Sequence, residues 1–82
     1  MSTLAERLKW AREAAGLTAR KLDRLANLTA GHTTAIEAGR RADPSMSTVT
    51  ALADALRVPL EWLASGDGTA PSMKRLRAQH AA

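Results

Sequence analysis

At 82 residues the chain has room for one domain with a modest core, and its lack of cysteine excludes a disulfide framework and any thiolate metal site. Twelve Lys and Arg against eight Asp and Glu give a formal charge of +4 and an isoelectric point near 10.7, a balance that attracts polyanions, nucleic acid foremost. Two Trp and no Phe or Tyr leave too little aromatic surface for the stacking platforms of single-stranded RNA or DNA modules. No segment approaches the roughly 18 apolar residues of a membrane span, and the first residues lack the basic region and apolar run of a signal peptide. A cytoplasmic protein without membrane association is expected.

Apolar residues recur at helical spacing and nowhere alternate as in a strand, which predicts an all-α fold. Thr3 and Glu6 form a capping box, and Leu4, Leu8, Ala11 and Ala15 share one face of a first helix over residues 4–15 that Gly16 ends. Thr18 caps a second helix whose inner face is Leu22, Leu25 and Ala26, and Asn27 suits the left-handed turn after it. Thr29 is placed to cap a third helix over residues 30–38, ended by Gly39. Two short helices about three residues apart are the length signature of a helix-turn-helix. After the basic loop Arg40-Arg41-Ala42-Asp43-Pro44, Ser45 caps a fourth helix with Val49, Leu52, Ala53 and Leu56 at i, i+3, i+4 and i+7. Pro59 fits the first position of a short fifth helix, on which Leu60 and Leu63 close the core. Residues 65–72 are rich in breakers, so a domain over 1–66 is expected to precede a linker and basic tail over 67–82. That tail carries Lys74, Arg75 and Arg77 and forms either a short helix or a disordered segment.

These residues, taken in order, resemble the Cro/C1-type, or xenobiotic-response-element, helix-turn-helix family. The resemblance runs from Leu8 to Gly66, about three-quarters of the chain. It is carried by Leu8-Lys9, Arg12, Gly16-Leu17-Thr18, Leu22, Leu25-Ala26, Leu28-Thr29, Ile36-Glu37-Ala38-Gly39-Arg40-Arg41, Pro44-Ser45, Thr48-Val49, Leu52-Ala53-Asp54-Ala55-Leu56 and Val58-Pro59-Leu60-Glu61-Trp62-Leu63. It implies a compact five-helix bundle of the lambda-repressor-like type, helices 2 and 3 forming the DNA-binding unit, with a short basic tail. It also implies an internal ion pair between Arg12 and Glu37 and base readout from the positions of Ala30, Gly31, Thr34 and Ala35. The sequence departs from the family at Ala19, where Gln is common, at Asn27 and Arg57, where Gly is usual, and at Thr33, where Ile or Val packs inward. Thr33 keeps the shape but buries a hydroxyl, which costs stability unless it bonds a backbone carbonyl, and Arg57 is expected to strain or reshape its turn.

The expected function is that of a sequence-specific double-stranded DNA-binding regulator, a bacterial or phage repressor, acting as a homodimer on a near-palindromic site. His32 joins Ala30, Gly31, Thr34 and Ala35 on the reading surface, while Thr18, Arg20, Lys21, Thr29, Arg40 and Arg41 are the phosphate candidates. Few of the reading residues can make bidentate base contacts, so specificity leans on thymine methyls and DNA shape. Trp62 and Trp10 are candidate dimer or partner contacts. An alternative is an antitoxin or other interaction module that binds a protein through helix 5 or the tail and autoregulates through the same unit. No cofactor, metal or catalytic set is expected: His32 has no nearby second histidine, and no nucleophile–base pair, carboxylate cluster or phosphate-binding glycine loop occurs.

Overall fold

Helix α1 (Leu4–Ala14) starts at a reciprocal cap: the Glu6 amide donates to Thr3 Oγ1 at 3.1 Å and the Thr3 amide to Glu6 Oε1 at 3.1 Å. The computed structural model describes residues 3–41 and 43–80, and among these it contains six helices and no strand. The others are α2 (Ala19–Leu25), α3 (His32–Glu37), α4 (Met46–Leu56), α5 (Leu60–Ser65) and α6 (Met73–His80). Thr18 and Ser45 cap α2 and α4 through their hydroxyls, as their positions predict. Pro59 is the residue before α5 rather than its first helical residue.

The first four helices end in one way, with a left-handed residue flanked by two backbone bonds that satisfy the last carbonyls. After α1 the Gly16 and Leu17 amides donate to Glu13 and Arg12; after α2 the Asn27 and Leu28 amides donate to Arg24 and Asp23. Gly39 and Arg40 close α3 onto Ile36 and Ala35, and Arg57 and Val58 close α4 onto Asp54 and Ala53. The left-handed residues are Gly16, Asn27, Gly39 and Arg57, so Arg57 takes the turn shape of a glycine, at φ 59°, without altering it. For an L-residue other than Asn or Asp that conformation costs about 1–2 kcal/mol.

Every helix contributes at least one fully buried apolar side chain: Leu8, Leu22, Ile36, Leu52, Leu56, Leu63 and Leu76. Helix α4 buries Val49, Leu52, Ala53 and Leu56 as its periodicity requires, and packs on α2 and α5. Leu25, expected inside, is 49% exposed, because the short α2 turns only Leu22 and Ala26 inward with Asp23 between them. Among the described residues a sixth helix joins the five expected, in the tail that the sequence left as either a short helix or a disordered segment. Helix α6 lies on α1, with Leu76 fully enclosed, and His80 Nε2 is 2.9 Å from the Leu56 carbonyl.

Two further features lock the outer helices. Trp62, a candidate contact, is only 4% exposed, and the half-buried Trp10 meets it edge-on with ring centroids 5.8 Å apart. Arg7 is buried, its Nε donating to Leu63 O at 3.0 Å and its Nη2 to Ala64 O at 3.2 Å. A guanidinium at the carbonyl end of α5 satisfies two orphan acceptors and opposes the negative end of the helix dipole. Gly66 is needed beside it, since a Cβ there would lie 3.1 Å from Arg7 Nη1 and the residue has φ 82°.

Candidate nucleic-acid interface

Helices α2 and α3 are joined by six residues, 26–31, and the junction is held by a side chain rather than by packing alone. Asp23, 2% exposed on α2, receives the Gly31 amide on Oδ2 at 2.9 Å, and on Oδ1 the Thr33 amide at 2.8 Å and the Thr33 hydroxyl at 2.6 Å. A carboxylate facing the first amides of α3 replaces the cap that α3 otherwise lacks, because Gly31 precedes the helix and has no side chain to offer. This corrects two expectations. Thr29 does not cap the helix through its hydroxyl; its carbonyl accepts from the His32 amide at 3.1 Å, and α3 begins at His32 rather than at residue 30. The buried Thr33 hydroxyl finds its partner in the Asp23 carboxylate rather than in a backbone carbonyl.

The orientation of α3 against α1 is set by Arg12. Its Nε donates to Glu37 Oε2 at 2.7 Å and its Nη2 to Glu37 Oε1 at 3.0 Å, a bidentate pair, while Nη1 donates to Leu17 O at 2.9 Å. The hydrogen bond to Glu37 raises the Arg12 pKa, burial opposes that shift, and the charges of Glu37 and then Glu13 add to it. Arg12 therefore ties the α1–α2 turn to the end of α3.

With these anchors, the candidate residues divide by exposure. Ala30, Gly31 and Thr34 are exposed, and His32 and Ala35 are half-buried at the edge of the same surface. Thr18, Arg20, Lys21 and Thr29 are exposed along α2 and the junction, and Arg40 and Arg41 are exposed just past α3. Between residues 19 and 41 there are two carboxylates, and both are used inside the fold: Asp23 is buried under α3 and Glu37 is paired with Arg12. The exposed charges of this segment are consequently all positive: Arg20, Lys21, Arg24, Arg40 and Arg41. Among the described residues, no group of three His, Cys, Asp or Glu side chains is placed to hold a metal ion. No described helix is long and apolar enough to cross a membrane.

Asp23 escapes a reading by composition because an acidic residue on a basic helix looks like a solvated charge. The available signal was its place between Leu22 and Ala26, on the side of α2 that faces inward.

Two short helices joined by an anchored turn, with a basic rim around a second helix of small side chains, define a helix-turn-helix unit. A family model described as a helix-turn-helix domain matches residues 3–65, and the chain belongs to that family of Cro/C1-type DNA-binding domains. Searches of curated proteins and of solved structures gave no significant match. Helix α6 lies outside the matched residues.

Proposed function

We propose that the protein is a sequence-specific transcriptional regulator of the bacterial or phage type that works in the cytoplasm. It lays α3 in the major groove of double-stranded DNA as a homodimer on a near-palindromic site. The observation that carries this reading is the one-signed charge of residues 19–41, in which both carboxylates are internal and five cations are exposed. Thr18, Arg20, Lys21, Thr29, Arg40 and Arg41 grip phosphates and set the register. Ala30, Gly31, His32, Thr34 and Ala35 face the base edges.

The small side chains let the backbone of α3 come close to the groove floor. Only Thr34 and His32 bring hydrogen-bonding groups, so recognition rests on thymine methyls, groove shape and the arginines at the helix end. Two recognition helices in a dimer lie about 34 Å apart, on successive turns of one face of the duplex. Repression follows from occupancy, since a protein on a promoter excludes polymerase without any further surface.

Selection of bound duplexes from a random pool, followed by titration of the winner against salt, tests the reading. A near-palindromic sequence and a slope of log K against log salt near −5, from about six phosphates per dimer, are expected. A slope of zero, or recovery of no common sequence, would remove the assignment.

A further inference from the structure

The C-terminal end of α6 lies beside residues that the DNA-binding reading places on the sugar-phosphate backbone. Gly16, Leu17, Thr18, Lys21, Leu25 and His80 line one cleft of about 340 Å³, where the α1–α2 turn, α2 and α6 meet. No carboxylate lines it, and none occurs anywhere from Gly68 to His80. Lys21 and Thr18 bring an ammonium and a hydroxyl, and Leu17 and Leu25 bring an apolar wall. Leu25, which is 49% exposed, is part of the wall of this cleft.

The wall supplied by α6 is held in place. The Leu56 carbonyl can only accept, so His80 Nε2 carries the proton in their 2.9 Å bond, and the fully buried Leu76 roots the same helix one turn earlier. Residues separated by more than fifty positions in the chain therefore form one fixed concavity.

We infer that this cleft receives a sugar-phosphate unit of the DNA backbone at the edge of the half-site. Thr18 and Lys21 meet the phosphate, Leu17 and Leu25 meet the deoxyribose, and His80 closes the side opposite α2. The inference rests on the DNA-binding reading above and adds to it a contribution from a helix beyond the matched domain.

The test is fluorescence anisotropy with a labelled duplex taken from the selection, titrated at several KCl concentrations. His80→Glu and, separately, Leu25→Asp place a carboxylate in the cleft, the second from an exposed position that leaves the core untouched. Each should weaken binding by about five- to ten-fold near 0.1 M salt, and Lys21→Ala should reduce the magnitude of the salt slope by about 0.9 per bound protomer. Arg75→Ala is the control, since it removes one positive charge from the other flank of α6, in the groove with Arg57 and Pro71. It should change affinity by less than about two-fold. If wild-type binding is salt-dependent but Leu25→Asp and His80→Glu lose no more than Arg75→Ala, the cleft is overturned and DNA binding stands. Absence of salt-dependent binding by the wild type overturns both.

Discussion

Replacing Asp23 tests the central structural claim, that one buried carboxylate joins the two helices of the DNA-binding unit. Asp23→Ala strands the Thr33 amide and hydroxyl inside a residue that is wholly enclosed, while the Gly31 amide, in an exposed residue, can turn to water. Hydrogen bonds to a charged group are worth about 1.5–3 kcal/mol each, and a buried donor left unpaired costs about 1–3 kcal/mol, so a loss of about 3–4 kcal/mol is expected. A domain of this length has about 4–12 kcal/mol in total, so the variant should be close to unfolding. Asp23→Asn keeps the shape and one accepting oxygen, but turns an N–H₂ group toward a backbone N–H, and should cost about 1–2 kcal/mol. Thr33→Val removes the 2.6 Å bond to a charged group and should cost about 1.5–3 kcal/mol alone, yet almost nothing in the Asp23→Ala background, where its methyl replaces a hydroxyl that has lost its acceptor. Urea denaturation followed by tryptophan emission measures all of these, because Trp62 is buried and Trp10 packs against it. An Asp23→Ala loss below about 1 kcal/mol, or additive Asp23 and Thr33 effects, would refute the anchor.

Arg12→Ala leaves Glu37 half-buried and unpaired and should cost about 2–3 kcal/mol in urea, somewhat under the 3–5 kcal/mol of fully buried pairs. Since the Arg12 pKa is raised on folding, its contribution is complete below the unfolded arginine value and is lost only as pH rises through the still higher folded value. Ordinary alkaline titration should therefore not mimic the substitution. Arg57→Gly relieves a left-handed residue at φ 59° and should raise stability by about 1 kcal/mol, read as a higher midpoint in thermal denaturation. A lower midpoint would show that the arginine side chain compensates for its backbone. Leu76→Ala opens a cavity in the shared core and should cost about 2–4 kcal/mol; a cost below about 0.5 kcal/mol would mean that α6 is not part of the cooperative unit.

The ends of helices were more legible in the sequence than their neighbours in space. Thr3, Thr18 and Ser45 are caps whose partners lie three residues away, so their chemistry is local and readable. Gly16, Asn27 and Gly39 likewise announce left-handed turns by residue type. The start of α3 was not legible, because its cap comes from Asp23, eight and ten residues upstream. The same holds for Arg7, whose acceptors are 56 and 57 residues away, and for α6, a helix with a single fully buried leucine that composition alone reads as a basic tail. The candidate reading residues were placed by position relative to the turn, and the structure leaves Ala30, Gly31 and Thr34 exposed and His32 and Ala35 half-buried.

The Asp23 anchor has a consequence for how such a domain can change. It holds α3 by the amides of Gly31 and Thr33 and by one hydroxyl, and none of its bonds involves the side chain of Ala30, His32, Thr34 or Ala35. Those four positions can therefore be exchanged without renegotiating the junction that presents them. On the proposed reading of α3 as the base-reading helix, a lineage carrying this scaffold can drift from one operator to another by single substitutions on that surface, with the junction between its two helices kept intact throughout.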